Sequence, residues 1–431
     1  MSIKDKGEKR VETAILGGGA VGLTLAMRLA LRGDHVTIIE REAQPGGLAA
    51  GFRIGDTTLE KFYHHIFKTD TALIALLKQI DLEKDLIWGS PNTSSLVGGK
   101  THRLDGVMPV LQFSPLPIWD RLRMGAALGV LKYWPNYHSF ERSTADAWMR
   151  RWMGRNAYET AWKPLLTGKF GSYATQISLA WFWSRIHCRT PQLGYLRGGF
   201  QRLYDRMADI NAELHTKMQF ETSVTGIKPQ RGGKITVETT AGDFVADRVI
   251  STLPTRITLK LMPTLPTFDR KYDTGDAIGA HCLILALDRS LTDVYWLNIN
   301  DPGYPFLALV EHTNFIPPVE YEGRHLIYLG NYLPMTHPLY KMTKQQVLAE
   351  FLPHLSRINP AFDPSWVTES WMFSAPYAQP VVTRDFPQHI PPHQTPIPNL
   401  YMANMFQVYP QDRGQNYAIA MADRLAAQLT V

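Results

Sequence analysis

Gly17, Gly19 and Gly22 stand in GGGAVG at a G-x-G-x-x-G spacing. At this spacing the first glycine permits a tight turn, the second lets backbone approach a pyrophosphate, and the third lets a helix pack on a strand. Ala20 and Val21 fall between them and open an apolar run reaching Arg32. If that run is a helix, its first N–H groups and partial positive charge face the phosphates. Glu40 ends the next apolar run, HVTIIE, with Arg41 beside it. A carboxylate there accepts hydrogen bonds from ribose hydroxyls. Glycine turns without a nucleotide are common, but here strand, turn, helix and acid occur in the required order. The expectation is a bound dinucleotide.

Residues 12–17 (ETAILG) read as a short buried strand, Ala20 to Arg32 as an apolar helix, and 35–40 as a second buried strand, which together make a βαβ unit. Between 115 and 190, Trp, Arg, Met and Leu recur at helical spacing, and the segment reads as a helical insertion. Strand character returns over 219–250, with Gly232–Gly233 and Ala241–Gly242 as turns. Apolar, β-rich runs over 278–335 suggest a second sheet; a Pro-rich loop then precedes NLYMAN and a final helix from about Asn416. The fold expected is α/β: a Rossmann-like nucleotide domain assembled from residues 11–110, 193–262 and 392–431, a substrate domain with a mixed sheet over 263–391, and a helical insertion over 111–192.

Six positions after Glu40 comes Gly46–Gly47, in EREAQPGGLAAGF. This E-x5-G-G extension resembles the FAD-binding segment of the amine oxidase, protoporphyrinogen oxidase and phytoene desaturase superfamily. ADRVISTLP (246–254), LGYLRGGFQRL (193–203) and NLYMANMFQVYPQDRGQNYAIAMADRLA (399–426) resemble further blocks of it, in the same order. The resemblance implies a flavoprotein with FAD as cofactor. It places Gly46, Gly47, Leu48, Val224, Thr252, Asn404, Gly414 and Asn416 near the FAD. Leu48 stands where the family usually has Arg or Lys, and Ala403–Asn404 replaces its usual Gly-Asp. No cysteine follows Cys282, so the C-terminal cysteinyl link of some amine oxidases is impossible and FAD is expected to be non-covalent. A closing helix starting near Gly414–Tyr417 would aim its positive end at the flavin edge where negative charge gathers on reduction.

On the substrate side, EKFYHHIFKTD (60–70) follows the glycine pair and should lie near the flavin ring. His64, His65 and Tyr63 there could donate protons or position a substrate. ESWMFSAPYAQPV (369–381) resembles a protoporphyrinogen oxidase segment near the substrate cavity, so Trp371, Tyr377, Tyr409 and Tyr417 are candidates for its walls. HHIFKTD also resembles a segment of UDP-galactopyranose mutases, with Lys68 where those have a second histidine, but their paired arginines have no alignable counterpart. The leading expectation is an FAD-dependent oxidase, dehydrogenase or desaturase taking a hydride from a porphyrinogen, an isoprenoid or a lipid-like amine; its electron acceptor is open. The alternatives are a mutase-like isomerase of nucleotide sugars and a non-catalytic FAD-binding factor.

The chain has 431 residues and a formal net charge of +6, which favours an anionic lipid surface or an acidic substrate as partner. Nucleic acid is not expected, because no basic run is interleaved with aromatics and no known module appears. Cys188 and Cys282 are too isolated for a disulfide framework or metal site and are expected as buried free thiols. MSIKDKGEKR lacks an apolar signal region, and no apolar stretch reaches the roughly 18 residues of a spanning helix. A cytoplasmic protein is expected, with peripheral contact at the inner face of the membrane as an option. For that option residues 116–134 are the candidate: they read either as an interfacial helix with Arg121, Arg123 and Lys132, or as one buried against the substrate domain.

Overall fold

The structure, a computed structural model, describes residues 10–273 and 276–429; the first nine residues of the N-terminal segment lie outside it. Strand β1 (Glu12–Leu16) buries Thr13 to Leu16 on both faces, as a parallel strand covered by helices must. It turns at the glycines into α1 (Ala20–Ala30), which returns to β2 (His35–Ile39). β3 (Lys217–Gln219) flanks β2, β4 (Arg248–Ser251) flanks β1, and β5 (Leu400–Met402) flanks β4. The sheet runs β3-β2-β1-β4-β5, with every pair parallel. Three distant stretches of chain thus build one Rossmann-like sheet, as the α/β reading requires.

Short helix α2 (Thr71–Gln79) follows the strand Ile66–Phe67. The insertion then supplies α3 (Ile118–Tyr133), α4 (Lys163–Phe170) and α5 (Leu179–His187) around a core that includes Met124, Leu131, Met149, Phe170, Trp181 and Trp183. α3 faces that core with Met124, Ala127 and Leu131, yet its other side is apolar as well. Trp119, Leu122, Ala126, Val130 and Tyr133 recur at three- and four-residue steps and are all exposed, Trp119 by 77% and Tyr133 by 83%. Val107, Met108, Ile118, Trp134 and Trp152, from the same part of the chain, are exposed too. No helix among the described residues is long and apolar enough to cross a membrane.

α6 (Gln201–Glu213) and α7 (Gln415–Gln428) both pack on α1 and close one face of the first sheet. The second sheet has seven strands and is mixed, with Ala277–Leu287 central between Val367–Pro380 and His325–Leu333. One boundary departs from the expectation. Thr93–Val97 and Lys100–Arg103 were expected inside the first nucleotide segment; Thr93–Val97 pairs in parallel with Trp296–Ile299, which puts both strands at the edge of the second sheet. Both cysteines are free; Cys282 is buried, whereas Cys188 is only half-buried.

Candidate active site

The glycine turn leaves β1 with Gly17 at φ +109°, a conformation side chains rarely adopt. A Cβ on Gly22 would sit 1.9 Å from the Gly17 carbonyl oxygen, so α1 can approach the turn only as glycine. Gly19 is different. A side chain there would meet nothing within 4 Å except the Cα of Gly47, at 3.9 Å. The two glycine turns face each other bare, and the space between them is bounded by backbone. Glu40 fixes the first turn, its carboxylate accepting from Gly18 N–H at 2.6 Å and Glu42 N–H at 2.9 Å. Gln201 fixes the second: its Oε1 accepts from Gly51 N–H at 2.9 Å and its Nε2 donates to the Pro45 carbonyl at 3.1 Å. Thr252, at the end of β4, donates to the Leu16 carbonyl at 2.8 Å and walls the far side of Gly17.

Asn404, just past β5, is 2% exposed; its Oδ1 accepts from Phe406 N–H at 3.0 Å, while Nδ2 is buried without a partner. An unpaired buried amide donor is costly unless something supplies an acceptor. Gly47, Leu48 and Gly414 are open to solvent although Ala49, Ala50, Gln415 and Asn416 beside them are buried. An open backbone cradle, an orphaned donor and the free N-terminal end of α7 are what FAD needs for its pyrophosphate, its ribityl chain and its ring. The residues present fit that cofactor.

Other expected residues stand differently. Asn416 turns its side chain away: Oδ1 accepts from Ala72 N–H at 2.9 Å and Leu73 N–H at 3.2 Å, satisfying the first turn of α2. Arg41 is exposed and ion-paired to Glu42 at 3.0 Å. Ala20 and Val21 form the first turn of α1, with Val21 buried, and Val224 opens the strand Val224–Pro229 half-buried. Tyr409 packs edge-on to Tyr137 at 5.8 Å and stacks on Phe386 at 6.3 Å, inside the insertion core. Trp371 packs on Phe52 at 5.2 Å, and Tyr377 neighbours Arg256. An aromatic side chain in a strand or loop declares its apolar character in sequence but not its direction.

His64 and His65 lie together in the segment entering Ile66–Phe67. Burial lowers His64 to about 4, against the opposing pull of its hydrogen bond to the Phe62 carbonyl. Burial also lowers His65, to about 3, helped by the positive charges of Arg189 and Arg185. Both rings are therefore neutral at pH 7. His65 stands edge-on to Phe67 at 4.9 Å and Trp296 at 5.9 Å, and its Nδ1 is buried without a partner. Tyr417, in the first turn of α7, lies close to Cys188 and Asp412, and burial raises its hydroxyl pKa above the usual range.

Residues not anticipated complete the surroundings. Asp412 pairs with Lys169 at 3.3 Å and with Arg185; burial opposes its charge, but Lys169, Arg185 and Arg413 outweigh that and hold it ionised. Beneath the second glycine turn, buried Glu60 accepts from Phe200 N–H at 2.6 Å and from the Tyr195 hydroxyl at 2.9 Å; burial still raises it to about 7. Only the Tyr and Gly of LGYLRGGFQRL hinted at this network in the sequence.

Residues 22–410 match the family described as flavin containing amine oxidoreductase. The chain belongs to that family. Solved structures agree on the fold. A proposed protoporphyrinogen oxidase from Exiguobacterium sp. 255-15 superposes with a TM-score of 0.75 at 17% identity, covering 98% of this chain and 99% of its own. Cyclohexylamine oxidase from Brevibacterium oxydans IH-35A gives 0.70 at 18% identity, covering 97% and 100%. A reduced UDP-galactopyranose mutase gives 0.73 at 15%, covering 98% and 96%. No curated protein matches the sequence. As a flavin amine oxidoreductase the chain is an FAD-dependent oxidoreductase acting on a small molecule, so the reading of it as a non-catalytic FAD-binding factor falls away.

Proposed function

We propose that the protein oxidises a hydrophobic small molecule of the porphyrinogen, isoprenoid or lipid-like amine kind. The observation that carries this reading is the aromatic surroundings of His65, which stands edge-on to Phe67 at 4.9 Å and to Trp296 at 5.9 Å, with Tyr63 edge-on to the same tryptophan at 4.7 Å. Bound FAD supplies the two-electron acceptor for a hydride. The chain's own part is to hold the reacting C–H bond toward the ring, to exclude water, and to present the N-terminal end of α7 where negative charge gathers. His65, with its free Nδ1, can accept a hydrogen bond from the substrate and so position it.

A mutase-like isomerase of nucleotide sugars is the second reading, favoured by Arg185 and Arg189 near His65, which would suit a diphosphate. Anaerobic mixing with candidate substrates separates the two. The oxidase reading expects an apolar substrate to bleach oxidised flavin without added reductant. Dithionite-reduced enzyme interconverting sugar-nucleotide isomers, with no apolar compound bleaching the flavin, would replace it.

The same reading places the enzyme on an anionic membrane surface. Residues 111–192 carry eleven Lys and Arg against four Asp and Glu, a surplus of seven, whereas the whole chain's surplus is six. The positive excess thus lies wholly in the insertion that also bears the exposed stripe of α3. An exposed apolar stripe on an insertion of net positive charge suits insertion among acyl chains beneath anionic headgroups.

A further inference from the structure

The chain leading into α7 is tied down before it reaches the helix. Ser184 Oγ donates to the Pro410 carbonyl at 3.1 Å. Asp412 then accepts from Gln379 Nε2 at 2.8 Å and Trp181 Nε1 at 3.2 Å, besides its ion pairs with Lys169 and Arg185. These partners come from α4, α5 and the strand Val367–Pro380, so both oxygens of Asp412 are engaged and its charge is balanced there. Arg413, the next residue, is placed differently. Among the described residues its guanidinium donates to one group, the Tyr332 hydroxyl, and it lies over that ring at 5.1 Å. A phenol carries no charge to offset it.

The surroundings fix where this cation stands. Gly330 and Tyr332 are two residues apart on the strand His325–Leu333 and share one face of its sheet. A Cβ on Gly330 would meet the Tyr63 ring at 2.7 Å, so that face lies against the segment carrying His64 and His65. On its other side Arg413 is bonded to Gly414, the cap of α7, whose first turn contains no acid. The buried, unpartnered Nδ2 of Asn404, at the start of the same stretch of chain, marks the ligand that this end of the fold awaits. Arg413 therefore lies between the substrate side and the helix end that suits the flavin ring.

We propose that Arg413 holds the negative charge of the reduced flavin, adding a full positive charge to the partial one of α7. This rests on the reading that FAD in this cradle accepts a hydride. The hydride leaves the ring with negative charge along the edge that α7 faces. A helix end supplies about half an elementary charge. A guanidinium supplies a whole one and keeps its proton at any working pH. The effect is a difference between two states. An interaction stronger with the reduced ring than with the neutral oxidised ring raises the potential, and one equal for both leaves it unchanged.

The test measures the flavin midpoint potential of the FAD-loaded protein against reference dyes, and FAD release in the oxidised and dithionite-reduced states. Arg413→Gln should weaken the hold on reduced FAD at least about tenfold more than the hold on oxidised FAD. The potential should fall with it, by about 30 mV for each factor of ten. Arg413→Lys should keep most of the native value. Equal weakening in both states with an unchanged potential overturns the proposal, as does a lysine variant as low as the glutamine one. The native protein gives a check that needs no variant. Between pH 5 and pH 6 its potential should fall by one proton per two electrons, about 30 mV per pH unit, because the reduced ring stays anionic beside Arg413. Twice that slope, meaning a second proton on the ring, overturns the proposal. The neighbouring groups keep their states over that range: Lys169 and Arg185 hold Asp412 ionised, burial lowers Lys169 only to about 7 and His64 to about 4, and burial raises the Tyr63 phenol. No substrate enters these measurements, so their failure is distinguishable from a failure of every candidate to bleach the flavin.

Discussion

Gly19 and Gly47 face each other with no side chain between them, the Cα of Gly47 lying 3.9 Å from where a Cβ on Gly19 would stand. Gly19→Val puts an isopropyl group into the space the pyrophosphate needs. The expected outcome is a folded, colourless protein, read as visible absorbance per chain. Gly129→Ala in α3, where a Cβ also meets nothing within 4 Å, should keep full flavin content. A yellow Gly19→Val protein would move the pyrophosphate elsewhere.

Glu60 ties acid to stability. Its folded pKa of about 7 lies above the ordinary value of 4.5 because burial disfavours the carboxylate. The folded state therefore holds its proton more tightly than the unfolded chain. Stability is highest below pH 4.5 as far as this group is concerned, and falls as pH rises from 4.5 to about 7, by about 3 kcal/mol. Urea unfolding at pH 5 and pH 8 should show that loss in the native protein and much less of it in Glu60→Gln. Equal losses in both would show that Glu60 is not the titrating group.

His65→Ala should slow flavin reduction by about tenfold, the worth of one lost positioning hydrogen bond, while FAD affinity changes little. Because His65 stays neutral with a pKa of about 3, the native rate should show no histidine titration between pH 5 and pH 8. Anaerobic stopped-flow across that range checks both. Weakened FAD binding with an unchanged rate would make the ring a structural group.

The α3 stripe predicts co-sedimentation with vesicles containing anionic lipid and much less with purely zwitterionic ones. Replacing Trp119 and Leu122 together by serine should lower recovery several-fold and raise the fraction left in solution. Equal recovery with and without anionic lipid would count against surface binding.

The cofactor side was legible in the sequence because its signals are local. β1, the glycine turn, α1 and β2 follow one another without interruption, and the spacing of Gly17, Gly19 and Gly22 is itself the geometry. The partners of the Asn416 side chain were not legible for a physical reason: position in the first turn of a helix does not say where an amide oxygen finds its donors, and those belong to α2, some 340 residues earlier. Arg185 and Arg189 could not be found by alignment because they come from an insertion whose texture says helix and no more. Only the fold brings them to His65. Thr93–Val97 likewise read as part of the segment preceding it, since strand pairing across 200 residues leaves no mark on either strand.

One sheet drawing on both halves of the chain also sets an order of events during biosynthesis. When β1, β2, β3 and β4 have left the ribosome, the outer edge of β4 is still unpaired, and the first N–H groups of α2 still lack Asn416. Both wait for residues beyond 400. Until then the nascent chain presents an open parallel edge, which other strands or a chaperone can engage. The cofactor cradle is therefore complete only once residues beyond 400 are made, when Asn404 and the start of α7 arrive together.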